Sequence, residues 1–305
     1  MRTLAAVLLL LLAPSAWAQS APGQVAPVVK PQDVRKIAKH VHIIPDNDVP
    51  LVTNIGFVIG EKAVLVIDTG LGPPNGAMAA EVASILGGRR PLYLVTTHVH
   101  PEHDLGATGF PADTKMIRSK AQEREIAEMG MSVADNFRKI SPDTAKLLEG
   151  AAFRKADITY DNEYLLDLGG ITVRILAVGP NHTLGDTVVW VLRDRVLFAG
   201  DTAMRGMPAF ASPHSSLTHW LETLDRLERQ DPAQIVPSHG PVGQGTEFIK
   251  TYREYLTEVR DRTALQKRAG ATVDQAVQRV TAAFSGRFPT VRLAGAIRAA
   301  YAEAK

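Results

Sequence analysis

Thr96-Thr97-His98-Val99-His100-Pro101-Glu102-His103-Asp104 (residues 96–104) packs three histidines and a carboxylate into the six residues from His98 to His103, directly after the apolar run Leu92–Thr97. The run predicts a buried strand, which puts the histidines in the loop at its end. In a loop, alternate side chains can converge on one point, which a regular helix does not allow. Imidazole nitrogens and carboxylate oxygens together suit borderline or hard cations such as zinc, manganese or iron. Only nine of 305 residues are histidine, so three at such close offsets arise rarely by chance.

Working outward, three further segments carry the same signature. Asn181-His182-Thr183-Leu184-Gly185-Asp186 places a histidine between two predicted strands. Ala199-Gly200-Asp201-Thr202 ends an apolar strand in an aspartate, where an unpaired charge would be costly. Pro237-Ser238-His239-Gly240 puts a histidine just past the short strand Gln234–Val236. Five of the nine histidines thus fall at strand ends.

The intervening sequence explains what holds these ends together. Val41–Ile44, Leu51–Ile59 and Ala63–Ile67 read as strands, the last closed by Asp68-Thr69-Gly70. Asn75–Leu86 carries Met78, Val82, Ile85 and Leu86 at helical spacing before Gly87-Gly88. Residues 119–150 read as a helical insert, Ser141-Pro142 opening its second helix. Tyr164–Leu168, Ile171–Leu176, Thr187–Leu192 and Arg195–Phe198 are strands again, with Gly169-Gly170 as a hairpin turn. Ser216 caps a helix with Leu217, Trp220, Leu221, Leu224 and Leu227 on one face. Beyond residue 245 the chain is helical, Phe248, Tyr252, Tyr255, Leu256 and Val259 forming a core stripe and Thr272 and Gln275 a capping box. Ala63–Gly70 and Arg195–Thr202 echo each other. The expected fold is a layered α/β protein, helix–sheet–sheet–helix, built of two similar halves.

Composition bounds the chemistry. Hydrophobic residues make up 45% and charged residues 22% of the chain, a globular balance. The net charge is +2, which excludes nucleic acid as the expected partner. Cysteine is absent, so disulfides, thiolate zinc sites and cysteine nucleophiles are excluded. Met1-Arg2, the apolar run Leu4–Ala13 and Ala16-Trp17-Ala18 predict a signal peptide over residues 1–18, cleaved before Gln19. The run is too short for a bilayer span, which needs about 20 apolar residues, so no stable membrane anchor is expected after cleavage. Arg2 is the only charge in that segment, so cleavage lowers the net charge by one, to +1. The expected organisation is signal peptide 1–18, flexible tail 19–36, layered α/β domain 37–245 and packed C-terminal helices 246–305 in a periplasmic or secreted protein.

The four histidine- and aspartate-bearing segments, in this order, resemble the metallo-β-lactamase superfamily over about Val41 to Pro241. The resemblance implies the αββα sandwich and two divalent metal ions, zinc first, with iron or manganese as alternatives. It implies His98, His100 and His182 for one metal, Glu102, His103 and His239 for the other, and Asp201 bridging. Asp68 is similar to a turn aspartate that supports the histidines, although a plain strand-ending turn explains it equally. The implied reaction is attack of a metal-bound hydroxide on an ester, thioester, lactone or amide carbonyl of a small-molecule substrate. Glu102 then both ligates and shuttles the proton.

Two departures from the family pattern bear on function. Glu102 stands where aspartate is commonest, and its extra methylene adds about 1.5 Å of reach, leaving open a weak second site and a one-metal enzyme. The bridging position holds Asp201 rather than cysteine, and Met204 stands where the best-known β-lactamases place a lysine, which favours a general hydrolase over a true metallo-β-lactamase. A non-catalytic periplasmic accessory or binding protein retaining the fold is the alternative of another class. Of the remaining histidines, His40, His42 and His219 read as surface or packing residues, and His214 as a substrate-rim residue in the Met204–Ser216 loop. The insert could roof the site or merely decorate it.

Overall fold

The computed structural model describes residues 26–204, 212–288, 290 and 292–305. The segment read as a signal peptide, the first part of the tail, and Met207, Pro208 and Phe210 of the loop after Asp201 lie outside the described residues.

The first half forms a seven-stranded sheet in chain order: β1 (Arg35–Lys36), β2 (Val41–Ile44), β3 (Ile55–Ile59), β4 (Val64–Ile67), β5 (Leu92–Val95), β6 (Lys115–Ser119) and β7 (Ile158–Tyr160). The second forms a six-stranded sheet from β8 (Glu163–Asp167), β9 (Thr172–Ala177), β10 (Thr187–Val191), β11 (Val196–Gly200), β12 (Gln234–Pro237) and β13 (Gly243–Gln244), also ordered along the chain. Each half begins as an antiparallel meander and makes a parallel pair across one crossover helix, after which the first sheet stays parallel to β7 while β13 returns antiparallel to β12. The crossover is α1 (Gly72–Gly87) between β4 and β5, and a second helix, Leu217–Arg229, between β11 and β12. The expected duplication of plan is therefore real at the level of topology.

The period-two alternation of the strands creates three apolar layers. Val41, Ile43, Leu65 and Ile67 face inward against Val173, Ile175, Val189, Val196 and Phe198 between the sheets. Ile44, Val64 and Val66 face outward under Ala79, Val82 and Ala83 of α1. Leu197, Ala199 and Ile235 face outward on the other side. The order is thus helix, sheet, sheet, helix.

Between β5 and β8 run α2 (Pro101–Asp104), α3 (Lys120–Glu125), α4 (Met131–Arg138) and α5 (Pro142–Leu147). α3 passes into α4 through one π-helical turn, Ile126–Gly130. The Ser119 side chain caps α3, accepting from Gln122 N at 3.1 Å. Ser119→Ala is expected to lower stability by about 1 kcal/mol, read as a lower urea midpoint. An unchanged midpoint would place the seat of this helix elsewhere.

The C-terminal part is α6 (Leu217–Arg229, the second crossover), α7 (Glu247–Arg268), α8 (Val273–Phe284) and α9 (Leu293–Glu303). The stripe residues Phe248, Tyr252, Tyr255, Leu256 and Val259 share one buried cluster with Trp220, Leu224 and Ile235, so these helices continue the outer layer of the second sheet. The capping box of Thr272 and Gln275 is present at the start of α8.

The tail boundary needs correction. Val29 is buried, its N–H donates to Asn75 Oδ1 at 2.8 Å, and the Asn75 amide donates back to Pro27 O at 3.0 Å. Arg35–Lys36 then pairs with β2. Residues 27–36 are thus pinned to α1 and the first sheet rather than free. Strands β1, β6, β7 and β13 were not expected from sequence: β1, β7 and β13 are two or three residues long, and β6 (Lys-Met-Ile-Arg-Ser) carries only two apolar residues between charged ones. No helix among the described residues is long and apolar enough to cross a membrane.

Candidate metal centre

The seven residues that the sequence singled out as ligands meet at one end of the sandwich, all buried. His98 and His100 come from the β5–α2 connection, Glu102 and His103 from α2 itself, His182 from the loop between β9 and β10, Asp201 from just past the end of β11, and His239 from just past β12. In the first cluster His100 Nδ1 lies 2.9 Å from His98 Nε2 and 3.2 Å from His182 Nε2. Asp201 Oδ2 faces the same group, 3.4 Å from His182 Nε2 and 3.9 Å from His98 Nε2.

The second cluster is Glu102, His103 and His239. His103 Nε2 is 3.8 Å from Glu102 Oε1, and Asp201 Oδ1 is 4.0 Å from both His103 Nε2 and His239 Nε2. In each cluster the donor atoms lie within 4.8 Å of one another. The two oxygens of Asp201 thus face different clusters, an arrangement suited to a bridging carboxylate.

The supporting bonds aim the ring nitrogens. His103 Nδ1–H donates to Asp68 Oδ2 at 2.9 Å, which turns Nε2 toward the cluster. Asp68 adopts a left-handed backbone (φ 63°) and also accepts from Thr97 N at 2.7 Å and Thr97 Oγ1 at 3.0 Å. Asp68 therefore orients the His103 ring as well as ending a strand. His239 Nδ1–H donates to Val52 O at 2.9 Å. Asn54 Nδ2 donates to Pro237 O and Gly240 O at 2.7 and 2.8 Å, and Gly240 N donates to Asp46 Oδ2 at 2.7 Å, so the His239 turn is tied to the first sheet. Gly200 has φ 58°, and a Cβ there would lie 2.9 Å from Thr97 Cβ, which explains the glycine before Asp201.

Burial and charge set the protonation states. Burial, with the neighbouring imidazoles adding, pushes His98 and His100 well below the ordinary histidine value. Burial would also lower His103, but Asp68, Asp201 and Glu102 carry it up to about 9. Burial would raise Asp201, yet His239, His103, His182 and His100 hold it down at about 2. Burial raises Glu102.

Three atoms at the centre are buried and have no hydrogen-bond partner: Glu102 Oε2, His103 Nε2 and Asp201 Oδ1. Orphaned polar atoms are costly unless something satisfies them, and all three belong to residues of the two clusters. A donor set of imidazoles and carboxylates so arranged fits divalent metal ions. Metal binding at pH 7.5 is expected to release about one proton per chain, because His103, raised above that pH, must become neutral to ligate, while His98 and His100 are neutral already. Calorimetric titration with zinc in two buffers of different ionisation enthalpy measures it; a buffer-independent heat would contradict it. By the same shift, His103 stabilises the metal-free protein fully below pH 6.5, and that contribution is lost as pH rises through about 9.

The remaining histidines lie outside the two clusters. His40 Nδ1 pairs with Asp194 Oδ1 at 2.9 Å, and His219 Nε2–H donates to Val178 O at 3.0 Å. His42 sits on β2, half-buried. His214 is exposed and lies 3.3 Å from Glu128 Oε2, tying the loop after Asp201 to the helical insert. Sequence reading missed Asp46, Asn54, Thr97 and the insert residues Gln122 and Glu125. Thr97 was within the quoted stretch, but the others lie far from it in sequence and carry no motif.

Fold and site together define a layered αββα protein with adjoining nitrogen- and oxygen-rich clusters at the strand ends. The chain belongs to the metallo-beta-lactamase superfamily, whose sequence profile matches residues 48–239. Among curated relatives, a human acyl-coenzyme A thioesterase, MBLAC2, is 26% identical over 226 residues, covering 67% of this chain and 79% of that protein. A type 2 metallo-beta-lactamase of Bacteroides fragilis is 25% identical over 109 residues, 34% of this chain and 43% of its own. In fold, the chain is similar to the sec-alkylsulfatase Pisa1 from Pseudomonas sp. (TM-score 0.67, 13% identity), covering 88% of this chain. The match spans about half of the sulfatase, 49%. It is also similar to a metallo-beta-lactamase from Pontibacter korlensis (TM-score 0.57, 20% identity), with 73% of this chain and 98% of that one covered.

Proposed function

We propose that this chain is an exported, two-metal hydrolase, with zinc as its metal, that cleaves a small ester, thioester, lactone or amide. The observation that carries the proposal is Asp201 between the two clusters, with His103 Nε2, Glu102 Oε2 and its own Oδ1 buried and unpartnered. His98, His100 and His182 would hold one ion and Glu102, His103 and His239 the other. Divalent ions bound there supply Lewis acidity toward the oxygen that gains charge and acidify a water at neutral pH.

The chain's own residues supply the rest. Asp68 and Val52 O hold the Nδ1–H of His103 and His239, so both rings aim Nε2 inward, where the neutral ring offers its lone pair. Glu102 Oε2 is the free base of the site: it accepts the proton of the attacking water and returns it to the leaving group, which its raised affinity for a proton favours. The similarity to an acyl-coenzyme A thioesterase supports a thioester as the first substrate to try. Leu4–Ala13 followed by Ala16-Trp17-Ala18 supports export.

The test is metal content of the mature protein dialysed against trace zinc, followed by a panel of an acyl thioester, a p-nitrophenyl ester, a lactone and a cephalosporin, each with and without chelator. Two ions per chain and chelator-sensitive cleavage of a thioester or ester is the expected result. Preferential opening of the cephalosporin would replace it with the β-lactamase reading. A protein that binds no metal, or binds two and cleaves nothing in the panel, would overturn it in favour of a binding role.

A further inference from the structure

The helical insert does more than cover the centre. Glu125, the last residue of α3, is fully buried, and its two carboxylate oxygens accept separately from Leu184 N (3.0 Å) and Gly185 N (2.9 Å). Those peptides lie two and three residues beyond His182. One turn back, Gln122 Nε2 donates to Thr96 Oγ1 at 3.0 Å, and Thr96 Oγ1 donates to Asp104 Oδ2 at 2.7 Å. α3 is thereby fastened both to the loop that carries His98, His100, Glu102 and His103 and to the loop that carries His182.

The fit between helix and loop is backbone to backbone. A Cβ at Gly185 would sit 2.4 Å from Gln122 Cα, closer than atoms approach without one backbone moving. The other side of the His182 loop is held as well, since Ser212 N and Ser215 Oγ donate to His182 O at 3.0 and 2.7 Å. Asp186 closes the turn by accepting from Thr183 N and Thr183 Oγ1. Glu125 is the member of this set that comes from outside both loops. A buried carboxylate is costly to keep, and two consecutive N–H donors are what repay it here. Packing alone would be served by any side chain of that size.

We propose that Glu125 is a positioning residue for His182, setting the metal affinity of the three-histidine cluster through the Leu184–Gly185 backbone. This rests on the metal-centre reading above. Glutamine at 125 keeps the shape but offers one acceptor oxygen, and turns an amide N–H₂ toward a peptide N–H, so the loop must shift. Outer partners of this kind change metal affinity by about 10–100-fold when altered.

The experiment is zinc affinity by competition with a chromophoric chelator, alongside the melting temperature of the metal-free protein. In Glu125→Gln one of the two zinc affinities is expected to weaken by about 10–100-fold while the other holds. Glu128→Gln, which removes only the exposed pair with His214, is expected to leave both unchanged. Should Glu125→Gln not fold, Glu125→Asp keeps the charge, withdraws it by about 1.5 Å, and reads the same difference. Two zinc affinities equal to wild type would overturn the proposal. So would an equal loss at both sites in step with a lower metal-free melting temperature, which would mark a merely structural role. A wild-type protein that binds no zinc is a separate result, and it would overturn the metal-centre reading itself.

Discussion

Asp201→Asn is expected to lower hydrolytic kcat/KM by on the order of a thousandfold, about 4 kcal/mol of transition-state stabilisation, and to reduce bound metal to at most one ion per chain. The two oxygens of Asp201 serve different clusters, Oδ2 reaching toward His182 and His98 and Oδ1 toward His103 and His239. Asparagine removes the negative charge from the point where two cations would meet and replaces one oxygen by an N–H donor, which cannot ligate. Neither loss can be absorbed by rotation, because one cluster or the other always faces nitrogen. The side chain is buried and its neighbours are fixed by β11 and Gly200, so water cannot take the place of the missing oxygen without displacing them. Metal analysis and steady-state kinetics on the same preparation measure both effects. Two ions retained, with activity within tenfold of wild type, would show that Asp201 does not bridge.

The same residue shows why so much of the centre was legible. Asp201, His182 and His239 each end or follow an apolar run, where a charged or ligating side chain stands out, and the family resemblance then implies their shared role. The outer layers were legible for the same reason: the Leu217–Leu227 and Phe248–Val259 stripes have helical spacing, and all their members are buried in one cluster. What stayed hidden was whatever acts by tertiary approach rather than by pattern. Asn54 and Asp46 look like ordinary turn residues, yet they bind a loop more than 180 residues away. Val29 lay in a proline-rich stretch that composition assigns to a tail, yet it bonds Asn75 and packs into the apolar cluster under α1. Glu125 is one charge among many on a helical insert until Gly185 is brought against it. Composition and length also mattered: β6 has only Met116 and Ile117 as apolar residues between Lys115 and Arg118, and β7 is three residues long.

Glu102→Asp, the change toward the commoner residue of the family, is expected to lower activity about a hundredfold rather than raise it. Residue 102 lies inside the short helix α2, begun by Pro101 and held by His103 N and Asp104 N donating to His100 O at 3.0 Å each. That backbone is also pinned from below: Thr69 Oγ1 donates to His103 O at 2.8 Å, and buried Arg118 donates to both oxygens of Asp104 at 3.1 and 2.9 Å. The glutamate carboxylate reaches the second cluster from this fixed position, Oε1 lying 3.8 Å from His103 Nε2. Removing one methylene withdraws it by about 1.5 Å, and the backbone has no freedom to follow. Misplacement of about 1 Å at a reacting centre costs on the order of a hundredfold, and the second ion should bind more weakly for the same reason. Glu102→Gln separates the two duties of the side chain. It keeps the reach but loses the proton acceptor, so its rate should fall while the pH dependence attributable to Glu102 disappears. Kinetics across pH with metal content measured in parallel distinguish the three proteins. A faster Glu102→Asp enzyme with both ions in place would mean that the glutamate detunes the site, and that the second cluster closes around the shorter side chain instead.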